Sequence, residues 1–478
     1  MELMRIPVTV AILAAGLGTR MKSRKAKVLH RAGGKALIEH VVETALKLAP
    51  PERVFVVVGH QAEEVRQAVA AVPGGSGIGF IEQKEQKGTG HALMVGREAL
   101  AGLDGYLAIV YGDGPLLRAE TLERLVEAAA GPKGHPQAAG VLLSAAMEDA
   151  TGYGRVICGG GAPGARRVMR IVEQKAATPD EQAIREANMG IYCYRADLFW
   201  KHVDQIRPDN PAGEYYLTDM VEILNRAGHY VEAVRIEDAS EALGINDRVE
   251  LAKVDAILRQ RKRRELMLGG VTIEQPETVV IDADVRIGMD TVIEPFAQIL
   301  GKTAIGADCR IGACSIVRDS ELADGVEIGP FTIVGTSRLE RGVHAGPFAR
   351  LRMENVVEEG AHIGNFVELK KTRLGARAKA NHLAYLGDAR IGAGVNIGAG
   401  TITCNYDGLH KHTTVIGEGA FVGSNSTLVA PIEIGAGAYV GAGSVLTEPV
   451  PPDALALGRA RQVVKEDWAS KHRALRKK

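Results

Sequence analysis

From residue 287 onward, aliphatic side chains return every six positions. Ile287, Ile293, Ile299, Ile305, Ile311 and Val317 form one unbroken series, and Ile416, Val422, Leu428, Ile434, Val440 and Leu446 form a second. A period of six matches no helix face. A hexad with one inward aliphatic and a small turn residue is the mark of a parallel β-helix, whose stacked coils bury a continuous column. Glycine follows many of these aliphatics, as in Ile287-Gly288, Ile305-Gly306, Ile311-Gly312, Ile328-Gly329, Ile397-Gly398 and Ile434-Gly435. Between the two series lie five-residue steps and a polar insertion running from Thr403 to His412. Such breaks are where loops leave a coil and carry function.

The first half has another rhythm. Continuous apolar runs at Val8 to Leu13, Val54 to Val58 and Leu107 to Val110 alternate with amphipathic stretches such as Glu120 to Ala129. Runs of this kind predict an α/β sheet whose strands are covered by helices on both faces. Asn246 and Asp247 are placed to cap a connecting helix in which Leu251, Val254 and Leu258 recur at three- and four-residue steps, before Gly269-Gly270 stops it. Its run from Arg259 to Arg264 reads as a solvated helix face. The expected domains are therefore 1–245, a linker helix at 246–269 and a β-helix with a tail at 270–478. In that tail, the basic stretch from Lys471 to Lys478 reads as a disordered, solvated end.

Charge and cysteine usage narrow the function. Lys plus Arg and Asp plus Glu both total 58 in a chain of 478 residues, which argues against a globally basic nucleic-acid binder and makes any phosphate site local. The five cysteines form no Cys-x-x-Cys pair, so neither a disulfide framework nor a zinc site is indicated, and reduced thiols in a cytoplasm fit best. The segment from Met1 to Gly16 is too short to span a membrane and lacks a cleavage pattern, and reads as the lead into a first buried strand.

Leu13-Ala-Ala-Gly-Leu-Gly-Thr-Arg-Met21 follows the first apolar run, which places a glycine loop where a strand ends and a helix begins. Its N–H groups can face phosphate oxygens, although it is neither a P-loop nor a complete dinucleotide fingerprint. Arg20 and Lys27 are suited to supply positive charge to a triphosphate whose charge grows during transfer. Asp113 ends another apolar run on the same edge, a place suited to Mg²⁺, which prefers oxygen ligands.

These residues, with Lys27-Val-Leu-His30, Gln83, Gly88-Thr-Gly-His91, Tyr111-Gly-Asp113, Thr151-Gly-Tyr-Gly-Arg155, Ile171-Val-Glu173, Asn188-Met-Gly190, Gly213-Glu-Tyr-Tyr216 and Asn246, resemble the sugar-nucleotide pyrophosphorylases. Within these, the chain is most similar to the bifunctional N-acetylglucosamine-1-phosphate uridylyltransferases/glucosamine-1-phosphate acetyltransferases, over nearly its whole length. The resemblance implies a Rossmann-like nucleotidyltransferase domain followed by a left-handed parallel β-helix, in a cytoplasmic homotrimer with no nucleic-acid or membrane partner. Its substrates would be UTP, glucosamine 1-phosphate, N-acetylglucosamine 1-phosphate and acetyl-CoA, and its role a precursor supply for the bacterial cell envelope. It implies that Leu13, Ala14, Ala15, Gly16, Lys27, Gln83, Gly88, Thr89, Tyr111, Gly154, Glu173, Asn188 and Asn246 surround UTP and the nucleotide sugar. Arg20 and Lys27 would act on the phosphates, and Asp113 and Asn246 would ligate Mg²⁺. The sequence departs from the family at Ala26, where proline usually precedes the lysine, and at Gly114, Asp247 and Met353-Glu354.

The second half carries Gly346-Pro-Phe-Ala-Arg-Leu-Arg352, Gly364-Asn-Phe-Val-Glu-Leu-Lys-Lys371, Ala380-Asn-His-Leu-Ala-Tyr-Leu-Gly-Asp388 and Thr401-Ile-Thr-Cys-Asn-Tyr-Asp-Gly408. These look like the acetyltransferase half of the same family. By that resemblance His382 is the general base, a task suited to an imidazole that titrates near neutral pH. Glu368 would orient or polarise it. Arg352 and Lys370 would bind the sugar phosphate, Tyr385 and Asn396 the sugar, and Ala399, Asn405, Tyr406, Ser424, Ala442 and Arg459 the acetyl-CoA. Cys404 has no demonstrable histidine partner and reads as structural. A solenoid that served only as an oligomerisation platform would require neither His382 nor the Asn405-Tyr406 insertion.

Overall fold

The computed structural model describes residues 6–131, 137–159 and 166–476; Met1–Arg5 and the last two residues of the basic tail lie outside the described residues. The chain divides into two compact units, Met1–Leu258 and Arg259–Lys478, and the division falls inside the helix Arg248–Leu268.

In the first unit the expected strands form at Val8–Leu13, Val54–Val58 and Tyr106–Tyr111, and the expected helix at Ala119–Ala130. Among the described residues, nine strands make one mixed sheet. Its order is Gly79–Glu82, Val54–Val58, Val8–Leu13, Tyr106–Tyr111, Glu186–Arg195, Gly140–Ala146, Val231–Ile236, Arg167–Val172, Gly154–Cys158. The first four are parallel. Glu186–Arg195 then runs antiparallel to both its neighbours. Val10, Ile12, Val56 and Ala108 pack into one core cluster, whereas Ala11, Val57, Leu107 and Ile109 enter another. Successive side chains of a strand thus bury on opposite faces, which is why these runs are continuously apolar.

In the second unit three all-parallel sheets of 11, 10 and 9 short strands form the walls of a β-helix. One hexad is one wall: Ile287, Ile293 and Ile299 pair upward with Ile305, Ile311 and Val317 of the next coil, each on its own sheet. A regular coil is three hexads. Ladder partners are accordingly 18 residues apart at Ile293 and Ile311, and 17 apart through the five-residue steps, as at Ile311 and Ile328. The coil from Ile397 to Val422 spans 25 residues and carries the polar insertion. The inward residues of both series are buried or packed on the core. Each fully buried one contributes about 1.5–3 kcal/mol relative to exposure.

Two sequence readings change. The Arg259–Arg264 run is not simply a solvated face. Arg259 donates to the Ile281 carbonyl at 3.1 Å and to Asp282 at 2.8 Å, and Arg263 donates to the Val279 carbonyl at 2.9 Å. Forked guanidinium donors satisfy carbonyls that no further coil would reach. The described part of the basic tail is helical over Trp468–Leu475, with Trp468 stacked on His472 at 4.9 Å. Side chains four apart meet on one helix face, which supports the turn. Among the described residues no helix is long and apolar enough to cross a membrane.

Candidate active sites

The nucleotide-side residues converge on the ends of the parallel strands. Leu13–Gly16 leaves the Val8–Leu13 strand with Ala14 N bonded to Val57 O at 2.9 Å, while Gly112 N bonds to Leu13 O at 2.9 Å. A cavity of about 390 Å³ opens there, lined by Leu13–Gly16, Lys27, Gln83, Gly88, Thr89, Tyr111, Asp113, Glu173 and Asn188. A second, of about 440 Å³, shares Lys27, Tyr111, Asp113, Glu173 and Asn188 and adds Arg20, Gly154 and Asn246. Every residue expected around the nucleotide, the sugar and the metal therefore lines one chamber or the other.

One local expectation is corrected. The glycine loop opens not onto an α-helix but onto the short 3-10 turn Thr19–Met21, bounded by left-handed Gly18 and Lys22. No helix dipole is then available at this loop, and fixed charge must come from side chains. Gly18 is required here: at φ +60°, a Cβ would stand 2.7 Å from Lys27 Cβ. Its absence lets the Lys27 stem lie on the loop. Lys27 Nζ forms an ion pair with Asp113, and Arg20 donates to Asn246 Oδ1 at 2.7 Å. Asp247 caps the helix Arg248–Leu268, accepting from Val249 N and Glu250 N at 2.9 Å each, while Glu250 takes the Asn246 amide at 2.5 Å. This division of labour leaves the Asn246 side chain turned toward the cavity.

The walls are set by hydrogen bonds. Gln83 donates to Gly88 O at 3.2 Å and meets His91 Nδ1 at 3.0 Å; Asn188 donates to the Tyr192 hydroxyl at 2.7 Å. Burial raises the Glu173 carboxyl above its ordinary value, against a bond from Thr218 at 3.3 Å. Burial likewise pushes Tyr111 well above the usual phenol range, so it lines the site as a neutral ring. Sequence reasoning gave no role to Gln86, Glu214, Tyr216 and Thr218, which also line the first cavity. The Gly213-to-Tyr216 motif was the available signal.

Asp113 and Asn246 offer a carboxylate and an amide oxygen to the same cavity. Among the described residues no group of three or more His, Cys, Asp or Glu side chains can hold a metal. A two-oxygen set suits Mg²⁺, which retains water and takes further oxygens from substrate phosphates. The donor chemistry fits.

The residues expected at the acetyl site lie on the solenoid, from Arg352 to Asn405 and Tyr406 where its period breaks, with Ser424, Ala442 and Arg459 on the regular coils beyond. Glu368 and Tyr385 are ladder partners on one wall, followed by Lys370 opposite Gly387. Arg352 pairs with Glu368 at 3.0 Å. Lys370 Nζ lies 3.7 Å from Asp388 Oδ2, the same oxygen that accepts from Asn405 Nδ2. His382 is exposed at the end of the strand Lys379–His382, opposite Asn365, just before the corner that leads to Tyr385. Burial, with His344, Lys379 and His382 nearby, holds His362 below the ordinary imidazole value. Asn396 lies on the His382 wall, opposite Lys379. Ala399, Ser424 and Ala442 each follow a strand of that wall by two residues and form a column, linked by Asn425 N to Ala399 O at 2.7 Å and Gly443 N to Ser424 O at 2.8 Å. Arg459 stands just beyond Leu455–Ala456, the next strand of the same sheet.

The fold does not bring Glu368 to His382 by a hydrogen bond; Arg352 occupies that carboxylate. Asp388, which joins Lys370 to Asn405, was missed as a site residue, although it ends the motif that carries His382. The insertion folds as a hairpin in which Tyr406 bridges Lys411, Lys411 Nζ lies 4.5 Å over the Tyr406 ring, and Asp407 accepts from His410 N at 2.6 Å.

Fold and sites together define a two-part transferase, a nucleotidyltransferase sheet joined to a hexapeptide-repeat solenoid. Residues 10–155 match the MobA-like NTP transferase domain, and residues 284–319 and 413–448 match the bacterial transferase hexapeptide (six repeats). The chain is 70% identical over 478 residues to bifunctional protein GlmU of Solibacter usitatus, covering all of both chains. It is 52% identical over 469 residues to that of Koribacter versatilis, covering 98% of each, and 43% identical over 460 residues to that of Streptococcus equi subsp. zooepidemicus, covering 96% of this chain and 97% of the relative. The chain belongs to the GlmU family of bifunctional proteins.

Proposed function

We propose that the protein makes UDP-N-acetylglucosamine in two reactions, acetylating glucosamine 1-phosphate with acetyl-CoA and then coupling the product to uridylate from UTP. The observation that carries this reading is identity of 70% along the entire length of a GlmU relative. It is supported by the first residue set lining the cavities of the first unit and by the second set lying on the coils of the second unit. In the first reaction His382 takes a proton as the sugar amine attacks the thioester carbonyl; the C–N bond forms, the C–S bond breaks and coenzyme A leaves as its thiol. Arg352 and Lys370 hold the phosphate, and Asp388 ties Lys370 to Asn405 on the coenzyme side.

In the second reaction a phosphate oxygen of N-acetylglucosamine 1-phosphate attacks the α-phosphorus of UTP, and the bond to pyrophosphate breaks. No covalent intermediate on the protein is needed. Lys27 and Arg20 neutralise phosphate charge, which requires Lys27 to exchange Asp113, and Arg20 to exchange Asn246 Oδ1, for substrate. Mg²⁺, held by Asp113 and Asn246 with substrate oxygens, would supply further charge neutralisation. Glu173 and Asn188 position the sugar. Assembly as a trimer is part of the same reading; an exposed ridge of stacked Phe331, Phe348 and Phe366, at 5.1 and 5.3 Å between rings, supports burial against another copy. A cytoplasmic location accords with five unpaired thiols.

The test follows free thiol and pyrophosphate separately, omitting each substrate in turn. His382→Ala should abolish thiol release and spare pyrophosphate formation from preacetylated sugar, and Asp113→Ala should do the reverse. Loss of both products in either variant would rule out separate sites.

A further inference from the structure

We propose that Gln61 is a positioning residue for uridylyl transfer, acting through the backbone amide of Ala26 to fix the point from which Lys27 projects. The inference rests on the reading that Lys27 acts on the nucleotide phosphates. Ala26 is buried, with φ −55° and ψ 140°, and opens the single turn Lys27–Leu29. A buried N–H needs a partner, and this one finds it 35 residues away, donating to Gln61 Oε1 at 2.5 Å. The next residue is Lys27.

Gln61 makes this contact from a backbone position that side chains seldom adopt. Its φ of 52° and ψ of 46° are left-handed, and although it stands at the start of the helix Ala62–Ala70 its side chain caps nothing there. Residues with a Cβ hold such a conformation only where their surroundings enforce it. Here the side chain reaches back to the Lys27 segment instead of serving its own helix.

The remaining tethers of Lys27 explain why the amide matters. The stem rests on Gly18, and the ammonium sits on Asp113, which it must leave when phosphate arrives. During that exchange the terminal tether is lost. A lysine has a long flexible stem, so the precision of its new position depends on a fixed backbone origin. The Gln61 bond to Ala26 provides that origin in both states.

The φ of Ala26 lies within the range a proline ring enforces, and proline has no N–H to satisfy. Ala26→Pro should therefore replace the Gln61 bond by covalent restraint once the glutamine is shortened. In the full-length protein, Gln61→Ala should lower kcat/KM for UTP roughly tenfold, the scale of one hydrogen bond to a buried amide. Thiol release by the same preparation should be unchanged, which excludes general misfolding. Gln61→Ala with Ala26→Pro should recover most of the loss. If Gln61→Ala leaves pyrophosphate release near parental rates while Lys27→Ala abolishes it, the positioning role is overturned and the Lys27 reading stands. A loss that the Ala26→Pro change does not repair also overturns it. Full activity of Lys27→Ala would remove the reading on which the proposal rests.

Discussion

A single methyl group at Gly387 should separate the two reactions. Built on this backbone, a Cβ would stand 2.5 Å from Tyr385 Oη, 2.7 Å from Tyr385 Cζ and 2.7 Å from Asn405 Nδ2. All three atoms belong to the far ends of side chains, so they yield where backbone would not. The Gly387 amide keeps its bond to Thr403 Oγ1 at 2.8 Å, and the coil remains in register. Gly387→Ala therefore displaces the side chains of Tyr385, proposed to hold the sugar, and Asn405, proposed to hold the coenzyme, at little cost to the fold. Each displaced polar contact is worth about 0.5–1.5 kcal/mol, and two together about 1–3 kcal/mol. Acetyl transfer should fall on the order of 10- to 100-fold in kcat/KM. The assay is thiol release at varied glucosamine 1-phosphate and acetyl-CoA, alongside pyrophosphate release from preacetylated sugar as an internal control. Acetyl transfer within about twofold of the parent, or an equal fall in both reactions, would refute the placement of Tyr385 and Asn405 at the acetyl site.

Asp219 predicts a pH signature. Burial, with Glu222 and Glu173 adding negative charge, raises its carboxyl from 3.8 to about 6. The stabilising contribution of the protonated form is thus complete below about pH 3.8 and is lost as pH rises through about 6. Asp219→Asn should gain stability relative to the parent between about pH 4 and 8, read as a growing difference in urea midpoint; a flat difference rejects the cause. Ile363, fully buried in the solenoid column, should cost about 2–5 kcal/mol when cut to alanine. Thiol release should then be inactivated at a lower temperature than pyrophosphate release, and coincident inactivation at parental temperatures would contradict the packing argument.

Much of the architecture was legible because it is periodic. The series Ile287 to Val317 and Ile416 to Leu446 became the inward residues of successive walls, one hexad to a wall, and the five-residue steps became the shorter coils. Val8 to Leu13 and Val54 to Val58 were strands end for end. The helix expected after the glycine loop was not there. Gly18 and Lys22, both left-handed, close the turn Thr19–Met21 after three residues, a backbone choice that depends on how Lys27 packs back against Gly18. The arginine run differs from its solvated reading for a similar reason, since the carbonyls of Val279 and Ile281 that engage it belong to the first coil, which follows the helix in the chain.

Residue spacing and type alone dictate the six-residue step of the solenoid, the helix-covered sheet before it and which residues are candidates for chemistry, because burial periodicity and residue type are local properties. Which of those residues face each other was decided only in three dimensions. Lys27 on Asp113, Arg20 on Asn246, Gln61 on the Ala26 amide and Asp388 between Lys370 and Asn405 all join groups from different strands, loops or coils. Their partnerships depend on register and on the satisfaction of buried polar groups, and neither is written in the spacing of any one segment.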